Sequence, residues 1–471
     1  MKKTKIIATV WPASDKKEII KELYNNWVNI IRFNYSHSNY DYYDTIIESI
    51  NDLNQKWETN LSILADTKWP EIRTKKTNEI IELDNWEKFL FSILEKEDVL
   101  PKDSKKIICD YKYVLEDLNV WDIIDIDTWL LKAEIISKKD DYLECIALNS
   151  HIIKSLRHVN LPWIKIKLPW ITEQDKKDID FALTNNLDYI ALSFVRNKWN
   201  INELKDYLAQ KNKSDIKIIS KIESQEALDN LDEIIDNSDW IMIARWDLWA
   251  EIPFEKLPIV QREIAKKCKK AWKFFIVATQ MLESMLSNPI PTRAELTDIF
   301  NAVMQKADCT MLSWETAAWD YPIESAKYMS KVIETAESSI NYHHNYFDKD
   351  LWIDNDKKLL VRDAIYTAEN TWAKALIVFT RTWFMAKTAA AFRPNIPVFS
   401  FTFEDKLQKK LNILFWNTTF TIEKKSNEEN VENAINLLEE RWFLNKNDKI
   451  VTLYDIEYKS KIIPSIQIRK I

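Results

Sequence analysis

Apolar residues along the chain gather into short runs rich in Ile, Val and Leu. Most of these runs precede a longer stretch in which apolar residues recur every three or four positions. The first pattern predicts buried strands and the second amphipathic helices. The strand-like runs are Lys5 to Val10, Val28 to Phe33, Leu61 to Asp66, Tyr189 to Val195, Ile216 to Lys221, Trp240 to Ala244, Phe274 to Thr279 and Cys309 to Ser313. Helical patterns occupy Lys16 to Asn25, Tyr43 to Gln55, Gln225 to Asp236, Leu257 to Ala271 and Thr292 to Gln305. Eight strands alternating with helices are the order of an α/β fold of the (β/α)8, or TIM barrel, type.

The alternation breaks once, between the third and fourth strands. Residues 70–167 carry short strand-like runs such as Trp121 to Asp127 and Leu130 to Ile136 with few helical stretches, which predicts an inserted β domain. The barrel is then built from residues 1–69 and 168–345. The polar stretch Asn341 to Lys358 reads as a linker into a C-terminal α/β domain over 346–471, with strands at Ala375 to Thr380, Val398 to Phe403, Thr418 to Ile422 and Lys449 to Leu453. A chain of 471 residues suits two or three such domains.

Charge narrows the function. A net charge of -7 with acidic and basic residues evenly spread gives no footprint for nucleic acid. Phosphate-bearing substrates would be held by local cations or metals. Cys109, Cys145, Cys268 and Cys309 lie far apart without metal-ligand spacing, which fits a reducing, cytoplasmic setting. The apolar run after Met1-Lys2-Lys3 stops at Trp11-Pro12, too short for export or for spanning a membrane.

One count fits no globular protein: the chain has no glycine and 21 tryptophans. Average usage gives about 7% glycine, roughly thirty residues in a chain of this length. Trp11-Pro12, Asn26-Trp27, Trp69-Pro70, Pro162-Trp163, Pro169-Trp170 and Trp199-Asn200 become turn and breaker dipeptides once Trp is read as Gly. An indole in so many tight turns would need positive φ angles that only glycine takes cheaply. The economical reading is a gene that uses UGA for glycine, rendered with UGA as tryptophan.

The C-terminal ends of barrel strands are where such folds place their chemistry. Strand two ends in Arg32-Phe33-Asn34-Tyr35-Ser36-His37, strand three in Asp66-Thr67-Lys68 and strand five in Lys221-Ile222-Glu223. Strand six offers Arg245-Trp246-Asp247, strand seven Thr279-Gln280 and strand eight Ser313-Trp314-Glu315-Thr316. Lys221 and Glu223, two apart on an extended end, share a face, so a cation and a carboxylate share the mouth. Glu223 and Asp247 together offer hard oxygen ligands of the kind that hold Mg²⁺.

With Trp read as Gly, several segments resemble the pyruvate kinase family. Thr4 to Ser14, Val28 to His37, Asp66 to Thr74 (DTKWPEIRT), Val159 to Trp163, Leu168 to Thr172, Trp240 to Pro253 (WIMIARWDLWAEIP), Ala278 to Met285 (ATQMLESM), Asn288 to Glu295 and Met311 to Ala318 (MLSWETAA) carry the resemblance, which runs through nearly all the chain. It implies phosphoryl transfer from phosphoenolpyruvate to ADP, with the inserted β domain a small β-barrel serving as the nucleotide lid, and a homotetramer. It further implies that Arg32, Lys221 and Thr279 are catalytic, and that Arg32, Lys221, Trp246, Asp247 and Thr279 contact the substrate. Glu223 and Asp247 would bind Mg²⁺ or Mn²⁺, and Asn34, Ser36, Asp66 and Thr67 would bind K⁺. Asn34, His37, Arg73 and Arg157 would face the nucleotide. Thr279, Ser313 and Glu315 are candidates for protonating the enolate. Thr380, Arg381 and Thr382 match an allosteric loop for an effector such as a sugar phosphate or nucleotide.

Ser38, Lys75 and His158 stand where this family tends to have glycine, and the segment Thr452 to Ile471 departs from its usual ending. Two other functions compete. A Mg²⁺-dependent barrel lyase acting on a pyruvate enolate would use the same Glu223 and Asp247, but would have no ADP to clamp. A catalytically silent binding protein would follow if the tryptophans were literal, with Trp246 and Trp249 filling the site.

Overall fold

The computed structural model describes residues 2–37, 40–68, 72–127, 130–162, 164, 167, 171–342, 353–458 and 461–471. Ser38, Trp69, Pro70, Glu71, Trp163, Pro169, Trp170, His343, His344 and Trp352 lie outside the described residues, as does the side chain of His37. All eight strands expected from the apolar runs form, as Lys5–Thr9, Val28–Asn34, Ser62–Asp66, Tyr189–Leu192, Lys217–Ile222, Trp240–Ala244, Phe274–Ala278 and Cys309–Leu312. Each pairs in parallel with the next, and the eighth pairs with the first, Lys5 opposite Cys309, so the sheet closes.

Period-two alternation then sorts the strands into layers. Ile7, Ile30, Leu64, Ala191, Ile219 and Met311 point into the barrel and form one apolar cluster. Two residues further along the same strands, or just past their ends, come Thr9, Arg32, Asp66, Ser193, Lys221 and Ser313. The apolar layer is thus the floor on which a polar layer stands at the barrel mouth.

The opposite end is finished by a repeated device. Asn29, Asp188, Asp239 and Asp308, at or just before the starts of the even-numbered strands, accept hydrogen bonds from Ile6, Ile63, Ile218 and Phe275 of the odd-numbered strands beside them. The C-terminal part seals this end with Leu411, Ile413, Leu414 and Phe415, which join the interior cluster. Its Arg393 pairs with Asp308 at 2.6 Å. Burial pushes the Asp308 carboxyl up to about 6 against the pull of Arg393.

Between the third and fourth barrel strands the chain forms a six-stranded sheet with its own apolar cluster, including Phe89, Phe91, Ile124, Ile135 and Leu143. Arg73 bridges to His158 at one edge of this sheet and Thr74 to Cys109 at the other, which draws the edges together. The C-terminal sheet has five strands. Beyond the four expected, Lys461–Lys470 adds an antiparallel edge strand that the tail's composition did not suggest. Pro464 within it is tolerated because an edge strand need not donate on both sides. Two local expectations also fail. The helix expected over Gln225 to Asp236 is interrupted at Asn230, whose side-chain amide donates to the Arg196 carbonyl. Trp199-Asn200 lies in the helix Lys198–Gln210, not in a turn. Among the described residues no helix is long and apolar enough to cross a membrane.

Trp27, Trp57, Trp86, Trp121, Trp272, Trp372, Trp416 and Trp442 all have φ between 47° and 79°. Five of them, Trp27, Trp57, Trp272, Trp372 and Trp442, stand just past helix ends and donate back to the carbonyls of Tyr24, Asn54, Lys269, Glu369 and Glu439. This is the left-handed helix ending that usually takes glycine. Trp372 and Trp442 are 90% and 87% exposed, so their rings have almost no packing to offset the backbone cost. Trp372→Gly and Trp442→Gly are each expected to stabilise the chain by about 1 kcal/mol, read as a raised midpoint in thermal unfolding.

Candidate active site

The polar layer at the barrel mouth is organised around one carboxylate. Asp66 accepts from Arg32 Nε at 2.7 Å through Oδ2, and its Oδ1 lies 3.1 Å from Lys221 Nζ. All three side chains are buried. Burial pushes the Asp66 carboxyl up, and Lys221 and Arg32 outweigh it, holding it below the usual carboxylate range. Burial would likewise lower the Lys221 ammonium, but Asp66, Glu223 and Asp247 raise it. The cation is therefore fixed as such. Thr9 Oγ1 accepts from Arg32 Nη1 at 2.8 Å, and Ser193 Oγ accepts from Lys221 Nζ at 2.9 Å.

Glu223 has no such balance. It is fully buried, its Oε2 accepts from the Phe194 N–H at 2.5 Å, and its Oε1 lies 2.9 Å from Lys221 Nζ. Burial drives its carboxyl upward, Lys221 opposes this, and Asp247 adds to it. Around Lys221 two cations, Arg32 and Lys221, face three carboxylates, Asp66, Glu223 and Asp247. Glu223 and Asp247 thus share an ammonium on which Asp66 also draws, and a divalent cation would neutralise this excess of carboxylate with hard oxygen ligands, so the donor set fits it.

Arg32, Asn34, Ser36, Thr67, Arg73, Lys221, Glu223, Trp246, Asp247, Thr279, Ser313 and Glu315 all line one cavity of about 630 Å³. Asp66 stands behind its wall, tied up by the two cations. Thr279 Oγ1 accepts from the Trp246 N–H at 2.9 Å and donates to the Ala278 carbonyl at 2.6 Å. Ser313 Oγ is buried and has no hydrogen-bond partner among the described residues. The Glu315 oxygens accept from the Leu282 and Ser313 N–H groups, at 3.1 and 2.7 Å, so both are engaged by the backbone. Asn34 Oδ1 accepts from the Ser36 N–H at 3.2 Å.

On the lid side, Arg73 Nη2 lies 3.0 Å from His158 Nε2, and both residues line the cavity. Arg157 instead turns towards Asp127, 3.4 Å away, and is not among the lining residues. His37 closes the short turn Tyr35–His37 after strand two. Thr380, Arg381 and Thr382 stand elsewhere, between Ala375–Phe379 and the helix Phe384–Ala391 of the C-terminal sheet, where Thr382 Oγ1 accepts from the Phe384 N–H at 3.4 Å. Thr9, Ser193 and the Phe194 N–H also belong to the site, and they come from the ends of strands one and four, outside the six strand ends that the sequence singles out. The ends of strands one and four carried the same signal.

A closed barrel with buried cations at its mouth and a second sheet carrying an arginine over it is suited to a transferring phosphoryl group, whose charge such cations meet. Two family descriptions match: pyruvate kinase, barrel domain, over residues 1–326, and pyruvate kinase, alpha/beta domain, over 359–461. The pyruvate kinase of Clostridium perfringens is 38% identical over 421 residues, 88% of each chain, and that of Staphylococcus aureus is 34% identical over 457 residues, 96% of this chain and 77% of its own. The crystal structure of a pyruvate kinase from Cryptosporidium parvum superposes with a TM-score of 0.92 at 31% identity, covering 99% of this chain and 96% of that one. The chain belongs to the pyruvate kinase family. It transfers the phosphoryl group of phosphoenolpyruvate to ADP, giving pyruvate and ATP, and the lyase and silent-binding alternatives fall away.

Proposed function

We propose that Lys221 is the cation that stabilises the phosphoryl group in flight, and the observation that carries this is its buried ammonium held among Asp66, Glu223 and Ser193. In the reaction the bond from phosphorus to the enolate oxygen breaks as a bond to the terminal oxygen of ADP forms, and negative charge spreads over the equatorial oxygens. Arg32 and Lys221 meet that charge from fixed positions, so little reorganisation is needed at the moment of transfer. Glu223 and Asp247 hold Mg²⁺ or Mn²⁺, which supplies Lewis-acid neutralisation of the substrate oxygens when bound. The Trp246 backbone and the Thr279 hydroxyl contact the substrate carboxylate. The enolate left behind takes a proton on carbon. Of Thr279, Ser313 and Glu315, the unpaired Ser313 hydroxyl is the best placed for that relay, since the Thr279 hydroxyl and both Glu315 oxygens are already engaged.

Arg73 takes the nucleotide phosphates beside Asn34 and His37. Arg157 is the weaker member of that set because it faces Asp127. Asn34, Ser36 and Thr67, which line the cavity, would hold K⁺ together with Asp66, whose oxygens also serve Arg32 and Lys221. Thr380, Arg381 and Thr382 form an effector phosphate loop, supported by the helix that follows it. The same reading includes a homotetramer and a cytoplasmic setting, the latter supported by four buried, unpaired cysteines.

The tryptophans are read as glycines in the native protein. Eight left-handed tryptophans support this. So do the buried indole N–H groups of Trp240 and Trp416, which have no acceptor among the described residues. Trp11, Trp246 and Trp314 add a third line, since all three line the cavity the substrate must enter.

Lys221→Ala is expected to lower kcat on the order of 10²- to 10³-fold while leaving the KM for phosphoenolpyruvate within a few fold, because the charge matters mainly in the transition state. A raised KM at normal kcat would exclude the role. Potassium dependence is checked by comparing rates in K⁺-free, Na⁺-free buffer with and without KCl. Activation by KCl is expected, and equal rates would remove the proposed K⁺ site. For the glycine reading, peptide mass spectrometry on protein from its native source should find glycine at positions 246 and 249 within Trp240 to Arg262. Tryptophan at both positions in active enzyme would refute it.

A further inference from the structure

Thr279 and Gln280, just past the seventh barrel strand, have φ of 66° and 54°. Left-handed backbone at a β-branched residue costs about 1–3 kcal/mol and persists only where the surroundings over-determine it. The surroundings here are dominated by one side chain. Arg245 is 5% exposed. Its Nε donates to the carbonyls of Ala278 at 3.3 Å and Thr279 at 3.1 Å, and its Nη2 donates to those of Thr279 at 2.5 Å and Gln280 at 3.0 Å. Its Nη1 meets Asp298 Oδ2 at 2.5 Å, on the helix Arg293–Met304. One guanidinium thus takes three successive carbonyls, and a carboxylate from the next helix fixes the guanidinium.

The same turn holds the hydroxyl. Trp246, the residue after Arg245, donates its N–H to Thr279 Oγ1. Backbone and side chain of Thr279 are therefore both set by residues 245 and 246, at the head of the short helix that carries Asp247. Only a planar fork reaches these acceptors together, since a lysine ammonium is a point donor on a flexible stem.

We propose that Arg245 is a positioning residue for phosphoryl transfer: it imposes the left-handed backbone at Thr279 and Gln280 and so fixes where Thr279 stands in the cavity lining. It acts through Thr279 and rests on the reading of that residue as a substrate contact. A residue that serves only packing would lower stability without regard to what stands at 279. A positioning residue loses its effect when the group it positions is gone.

The test is a double-mutant cycle on the full-length active enzyme, with Arg245→Lys and Thr279→Ala alone and together, read by kcat and KM and accompanied by thermal unfolding. Arg245→Lys is expected to lower kcat on the order of tenfold to a hundredfold with a nearly unchanged KM, because small misplacements at a reacting centre cost that much. In the Thr279→Ala background the same substitution should change kcat by less than about twofold. Asp298→Asn keeps the guanidinium but loosens its anchor. It should give a smaller loss that also vanishes in the Thr279→Ala background, and it carries the cycle by itself if Arg245→Lys does not fold. Equal losses in both backgrounds, or a normal kcat in Arg245→Lys, would overturn the inference alone. A kcat untouched by Thr279→Ala would overturn the Thr279 role and the inference with it.

Discussion

Asp66 is the interaction on which the active site depends. Its two oxygens serve Arg32 on one neighbouring strand and Lys221 two strands further round the barrel, so one buried carboxylate ties together the second, third and fifth strands at the level where chemistry occurs. Taking these three charges out of water is costly, and hydrophobic replacements of the same shape would often do no worse for stability. What the arrangement secures is a pair of cations that remain charged and immobile in a low-dielectric cavity. It leaves Glu223 and Asp247 as the uncompensated groups.

The other end of the barrel answers a different need. Parallel strands that start at the same level leave unpaired N–H groups, and buried donors without acceptors are penalised. Asn29, Asp188, Asp239 and Asp308 meet this need at every second strand, each accepting from the strand before it. Three of the four are carboxylates, and two of these meet a cation: Asp239 faces Lys217 at 3.6 Å, and the Asp308 charge is balanced by Arg393 from the C-terminal part. The stacking of Arg393 on Phe415, 4.0 Å from guanidinium to ring centre, joins this charge balance to the apolar seal.

Much of this was legible in the sequence because period two governs the barrel strands. The alternation that places Ile30, Leu64 and Ile219 inside also places Arg32, Asp66 and Lys221 above them, so strand positions and site residues are read from one pattern. Glu223 continues the same alternation past the strand end. What was not legible depends on contacts between distant segments. Nothing local to Arg157 indicates that Asp127 draws it away, nor does the Glu315 segment reveal that Leu282 donates to it. The edge strand Lys461–Lys470 was not among the strands expected from the sequence, and its Pro464 is compatible with a strand because that strand lies at an edge. The tryptophans were legible as an anomaly of composition, and the structure gives that anomaly a backbone meaning at Trp27, Trp57, Trp272, Trp372 and Trp442.

The barrel does not supply the seal at its lower end. Leu411, Ile413, Leu414 and Phe415 arrive only after the eight barrel strands have been made, and Arg393 arrives with them. During synthesis the barrel strands emerge first and wait with one end open, exposing apolar surface and an uncompensated Asp308, until the last part of the chain leaves the ribosome. A proteolytic cut after the eighth strand would leave that same end open for good. The catalytic unit is for this reason inseparable from a part of the chain that contributes nothing to its mouth.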